Sequence, residues 1–270
     1  MDLWDPLLIH NLAQYRRVYL VDMPGTGCST GTLATIMEDW AQYIEDFLGA
    51  LQLTDIDLLG FSMGGLAIQY LQLIAPFRIR RLIIAGGRTS RHPGTIDGDE
   101  GLVNKLTYST SERHLEFAWK QALFSGSVLS EIYAAQAWSR LQERRVIHGT
   151  CHLRLADLPP SAPPLPFVGG DCTLHLKGAP KTHPHQLLHE FTAPVLVACG
   201  DEDRLIPTVN SIELADVLPN AHLIIFPNCG HGFMFQHAEN FAKVVDVFLE
   251  ADHGEIRKKL NRARIGLYSA

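Results

Sequence analysis

Ser62 stands in Gly60-Phe61-Ser62-Met63-Gly64, a G-x-S-x-G string between an apolar run, "IDLLGF", and a helix-like run, "MGGLAIQYLQLIA". The string is weak by itself, and its setting gives it weight. A chain that reverses sharply from a buried strand into a helix strains the turn residue. Glycines around it remove side chains that would collide with strand or helix. Such a turn lifts the hydroxyl above the sheet and aims the next N–H, that of Met63, where an oxyanion would form. A serine hydroxyl is a poor nucleophile near neutral pH and needs a base, itself oriented by an acid.

Candidates for both partners follow apolar, β-rich runs. "VLVACG" is followed by Asp201-Glu202-Asp203, and "LIIFPN" by Cys229-Gly230-His231-Gly232. Of the 13 histidines, only His231 directly follows the last such run. The remaining polar clusters read more blandly. His175, His183, His185 and His189 are spread without the spacing of a metal site, so no metal ligation is expected. "GTGCSTG", Gly25 to Gly31, is G-x-G-x-x-x-G after a proline and is not the dinucleotide-loop pattern. No cofactor is implied.

The elements that must carry these residues alternate. Helical spacing covers residues 2–14 and Thr35 to Leu51, with "RVYLVD" (Arg17 to Asp22) between them as a strand. The Ser62 strand and helix are followed by a strand in Arg78 to Gly87. After residue 190 come strand "APVLVACG", helix "PTVNSIELADVL", strand "AHLIIFPN" and helix "HAENFAKVVDVFLEAD". This rhythm implies an α/β fold, a mostly parallel sheet with helices on both faces. Residues 91–190 break it and read as an inserted lid on a core of 1–90 and 191–270. The lid's first half has helix-like pieces whose aromatics, Phe117, Trp119, Phe124, Tyr133 and Trp138, read as packing. Its second half, Asp157 to His185, is Pro-rich and reads as a loop expected to be cut first by proteases.

At this point the chain resembles the α/β-hydrolase superfamily, in its serine-hydrolase branch. "VYLVDMPGTGCS" is similar to the family's D-x-P-G-x-G-x-S, "PVLVACGDEDRLIP" to its strand-G-x-x-D-x-x-x-P, and "GFSMGG" and "FPNCGHG" to its serine and histidine segments. The resemblance implies Ser62 as nucleophile, Asp203 as acid with Asp201 as the alternative, His231 as base, and the Met63 N–H as oxyanion donor. Serine at this point separates the chain from the dehalogenases and epoxide hydrolases of similar fold, which carry Asp there. Measured against the family pattern, the chain is N-terminally incomplete. The family's first three strands, the third ending in an His-Gly oxyanion loop, have no counterpart before "MDLWDPLLIHNLA". That leaves either a gap in the ladder or direct pairing of "RVYLVD" with "IDLLGF".

Composition narrows the partners. The chain has 270 residues, 46% hydrophobic and 19% charged, with a net charge of −6, which disfavours nucleic acid. No apolar run reaches membrane-spanning length, and the N-terminus lacks a signal-peptide pattern. The basic run Ile256 to Arg264 reads as a solvated helix. Five cysteines without C-x-x-C spacing suggest free thiols and a cytoplasmic protein. The expected reaction is acyl transfer from a small or medium hydrophobic ester, thioester or amide to water, by analogy a tailoring step in secondary metabolism. The alternatives are a triad-using lyase, cyclase or perhydrolase, and a non-catalytic binding or scaffold protein on the same fold.

Overall fold

Four apolar runs form one parallel sheet: β1 (Ile56–Phe61), β2 (Ile79–Ala85), β3 (Val195–Gly200) and β4 (Ala221–Phe226), ordered β1-β2-β3-β4. They are seen in a computed structural model that describes residues 3–107, 112–148, 183–251 and 255. The nine α-helices among these residues are α1 (Pro6–Leu12), α2 (Met37–Ala50), α3 (Met63–Ile74), α4 (Glu100–Thr107), α5 (Glu112–Leu123), α6 (Val128–His148), α7 (Thr208–Val217), α8 (Phe233–Gln236) and α9 (Ala238–Glu250).

Side-chain alternation along the strands divides the core into two layers. Ile83, Ala85, Leu196, Ala198, Ile224 and Phe226 face one way, into a cluster filled from α1, α5, α6, α8 and α9. Leu82, Ile84, Val195 and Val197 face the other, toward Ile68 of α3 and Leu214 of α7, with α2 packed against α3 beyond. Every residue of β3 is buried, as a strand covered on both faces requires. The crossovers through α3 and α7 lie on one face, consistent with right-handed connections that advance in one direction across the sheet.

Two buried charged side chains fasten the helices. Arg81 of β2 is buried and donates to the carbonyls of Phe248 and, at 2.7 Å, Ala251, supplying donors to the C-terminal end of α9. Asp5, fully buried, caps α1 through the Leu7 amide (2.9 Å) and receives the Arg140 guanidinium of α6 at both carboxylate oxygens. Helix α6 is thus fastened to the start of α1 by charge as well as by packing.

Several expectations change. Arg17 to Asp22 is not a strand: it joins no β-ladder among the described residues, and Tyr19 and Val21 are exposed. Alternating apolar residues suit a strand, but a strand also needs a ladder partner for its N–H and C=O groups. Direct pairing with β1 is therefore absent, and among the described residues β1 lies at the sheet edge. The glycine run that follows is instead a turn around Asp22, whose carboxylate accepts from the Cys28 amide and whose carbonyl accepts from the Ser29 hydroxyl. Of the insertion's aromatics, Trp119, Phe124 and Trp138 are buried in the core cluster, whereas Phe117 is exposed on the outer side of α5. Cys199 and Cys229 are free and buried, but Cys28 is disulfide-bonded. Spacing along the chain could not exclude a pairing made by the fold. The Pro-rich segment expected as a loop lies outside the described residues except for its last three, His183 to His185, where a 3-10 turn, Pro184–Glu190, begins. The basic run Ile256 to Arg264 also lies outside them.

Candidate active site

Ser62 sits between β1 and α3 with φ 54° and ψ −118°, a conformation L-residues rarely adopt outside functional turns. Its amide donates to the Ala85 carbonyl at 2.8 Å, which seats the turn on the end of β2. Gly60 makes the reversal feasible. A side chain there would meet the Gly64 carbonyl oxygen at 2.4 Å and the Gly65 nitrogen at 2.7 Å. Gly65 is confined less tightly, since a Cβ there would meet the Ile84 side chain at 2.9 Å, whereas a Cβ on Gly64 would meet nothing within 4 Å among the described residues. The expectation that glycine relieves collisions on both sides of Ser62 therefore holds at Gly60 and Gly65 and not at Gly64. In the first helical turn, the residue two beyond the serine points away from the sheet, and the next points into it. Met63 opens α3, so its N–H is among the helix-start amides without an intrahelical acceptor.

Asp203 and His231 meet in a buried pair. Nδ1 of His231 lies 2.7 Å from Oδ2 of Asp203, with 1% and 5% of the two residues exposed. Oδ1 of Asp203 accepts the amides of Leu205 and Ile206, each at 2.9 Å. Both carboxylate oxygens are thus engaged by donors, the condition for burying such a group. Asp201 does something different. Its Oδ1 accepts the Cys229 amide at 3.3 Å, and its amide donates to the Phe226 carbonyl, so it laces the two loops together.

Residues that adjoin the Ser62 turn touch this pair. The ring of Phe61 packs on His231 with centroids 4.8 Å apart. Gly86, at φ +57°, lies so close that a Cβ would come within 3.0 Å of His231 Cε1 and 3.3 Å of the Phe61 ring. The loop after β4 is held by α5: the Gly232 amide donates to the Leu123 carbonyl at 2.6 Å.

A family model described as alpha/beta hydrolase fold matches residues 1–238. The chain belongs to the α/β-hydrolase family. It is 32% identical over 253 residues to 2-hydroxymuconate semialdehyde hydrolase of Pseudomonas sp. (strain CF600), covering 93% of this chain and 82% of that one. It is 28% identical over 239 residues to a 2-hydroxy-6-oxononadienedioate/2-hydroxy-6-oxononatrienedioate hydrolase of Cupriavidus pinatubonensis, covering 86% and 76%. Among solved structures it is similar to an alpha/beta hydrolase fold protein from Chitinophaga pinensis, with TM-score 0.72, 26% identity, and 93% and 85% of the two chains covered. Family membership and these hydrolase relatives support an enzymatic hydrolase.

In this α/β-hydrolase chain two buried thiols are poor nucleophile candidates. Burial pushes the Cys199 thiol up to about 12 and the Cys229 thiol higher still, so neither supplies a thiolate near neutral pH. Among the described residues no group of three or more His, Cys, Asp or Glu side chains could hold a metal ion. His185 and His183 do approach each other, and His92 stacks on His185 at 4.9 Å, but the His92 Nε2 is taken by Glu213 at 3.0 Å. No helix among the described residues is long and apolar enough to cross a membrane. Sequence reasoning missed Phe61, Gly86 and Leu123 as neighbours of His231. The glycine pair ending "RLIIAGG" was a usable signal for Gly86. For Leu123, which acts through its carbonyl, there was none.

Proposed function

We propose that this protein is a serine hydrolase. Ser62 is the nucleophile, His231 the base, Asp203 the acid that orients it, and the Met63 N–H a donor to the oxyanion. The observation that carries this reading is the buried Asp203–His231 pair packed, through Phe61 and Gly86, against the strained Ser62 turn. His231 takes the Ser62 proton as Oγ adds to a carbonyl carbon, and Asp203 stabilises the imidazolium. The proton then passes to the leaving group, and water, activated by the same imidazole, releases the product from the acyl-enzyme. The substrate is a small to medium apolar carbonyl compound, with an ester the simplest example.

The relatives' names favour a second reading of the substrate: an acid of the 2-hydroxymuconate semialdehyde or 2-hydroxy-6-oxo type, attacked at its oxo carbon. This changes the bond broken and keeps the same residues.

A fluorophosphonate probe tests the assignment without knowledge of the substrate. Wild-type protein is expected to be labelled at Ser62, and Ser62→Ala and His231→Ala to lose labelling while melting like wild type. Parallel assays with a short p-nitrophenyl ester and with 2-hydroxymuconate semialdehyde separate the two substrate readings. Wild-type protein left unlabelled and inactive on both would favour a binding protein on a hydrolase fold.

A further inference from the structure

The Nδ1 bond to Asp203 fixes His231 at one point only. Turning about the Cβ–Cγ bond would swing Nδ1 off Asp203, so the hydrogen bond restrains the ring along one edge, and what lies against its faces steadies the plane further. The structure offers two such groups. The Phe61 ring lies 4.8 Å from the imidazole, tilted by 36°, and Gly86 lies so near that a Cβ on it would come 3.0 Å from Cε1 and 3.1 Å from Nδ1. Phe61 is itself braced. It meets Phe235 edge-to-face at 5.7 Å, Phe235 stacks on Trp119 at 5.8 Å, and Trp119 is buried against Phe124 and Trp138. A column of rings thus runs from the imidazole to the helices of the insertion.

We infer that Phe61 is a positioning residue for His231, holding the imidazole plane by its ring face and stabilising the imidazolium that forms as Ser62 attacks; this rests on the serine-hydrolase reading above. An aliphatic side chain could fill the same space. It would lack the negative π face that attracts a cation and that is oriented here by the edge-to-face contact with Phe235. Because the imidazolium exists only as the reaction proceeds, the contribution falls on the chemical step rather than on substrate binding.

The test compares wild type with Phe61→Leu, Phe61→Met and Phe61→Tyr. It measures the second-order rate of fluorophosphonate labelling, kcat and KM on a short ester, and the melting temperature. Phe61→Leu and Phe61→Met are expected to slow labelling and lower kcat by about 3- to 30-fold, with KM changed by less than about twofold. Phe61→Tyr, which restores an aromatic face, should recover most of the loss. The methionine variant carries the comparison if the leucine variant melts below the assay temperature. Labelling of the aliphatic variants at the wild-type rate overturns the inference alone, as does a raised KM at unchanged kcat, which would make Phe61 a pocket wall. Wild-type protein that is not labelled at all overturns the serine-hydrolase reading and this inference together.

Discussion

The Gly232 amide donates to the Leu123 carbonyl at 2.6 Å, so the loop that carries His231 hangs from the last turn of α5. Gly230 lies against the same place: a Cβ on it would meet the Leu123 carbonyl oxygen at 2.9 Å. Helix α5 is therefore part of what positions the histidine loop, and α5 and α6 share a hydrophobic cluster with α8 and α9.

Crowding at this contact should be costly. A methyl group on Gly232 would lie 2.9 Å from the Leu123 Cβ, and neither backbone can yield freely. Gly232→Ala is expected to lose about 1–3 kcal/mol of stability, as overpacking does. Under the proposed mechanism it should also lose at least about tenfold in kcat, since small displacements of a catalytic group cost that much or more. Thermal melts and ester kinetics on the purified variant check both; wild-type values for each would mean that the loop is not held by α5.

The two aspartates after β3 should separate cleanly. Asp203 faces His231 directly, whereas Asp201 accepts only a backbone amide from the facing loop. Asp203→Asn is expected to lower kcat by about 10³-fold or more by favouring the wrong imidazole tautomer. Asp201→Asn retains an acceptor for the Cys229 amide and should stay within about tenfold of wild type. Steady-state kinetics of the pair decide the matter, and the reverse ranking would move the acid to Asp201.

The glycines around Ser62 make a stability prediction that does not depend on activity. Gly60→Ala places a methyl group 2.4 Å from the Gly64 carbonyl oxygen and should prevent folding or destabilise it severely. Gly64→Ala meets open space in the first turn of α3 and should melt no lower than wild type, gaining up to about 1 kcal/mol from helix propensity. Denaturant titration of the two variants reads the difference; equal destabilisation would contradict the geometry of the turn.

Acid sensitivity should come partly from His237. Burial holds its pKa below the ordinary 6.5, with an opposing hydrogen bond to the Pro227 backbone, and its Nε2 is buried without a partner among the described residues. His185 is shifted the same way, by burial first and then by the neighbouring His92 and His183. With the folded pKa below the unfolded one, the unfolded chain binds more protons between the two values. Stability is therefore fully present above about pH 6.5 and falls as pH drops through that value toward the folded pKa, by at most about 1.4 kcal/mol per pH unit for His237 and by less for the more exposed His185, which solvent screens. His237→Asn, which can keep a donor toward Pro227, should flatten this decline when melting is followed from pH 7.5 to 5.5. An unchanged slope would assign it to other groups.

Much of the architecture was legible before any coordinates. The alternation of β-rich and amphipathic runs located all four strands and most of the long helices, because a strand buried on both faces leaves a continuous apolar run such as "VLVACG". Local signals also placed Ser62 at a strand-to-helix turn and Asp203 and His231 just past strands, since turn glycines and chain order are properties of the sequence itself. What pairs with what is not local. Arg17 to Asp22 has a strand's composition but joins no ladder among the described residues, because a ladder requires a second chain segment that residue pattern cannot supply. Cys28 is bridged although its spacing suggested a free thiol. The direct contact of Asp203 rather than Asp201 with His231, the Phe61 ring against the imidazole, and the suspension of the histidine loop from Leu123 depend on distances between elements far apart in the chain. Those distances follow from packing two layers of side chains around one sheet, and only the folded structure decides them.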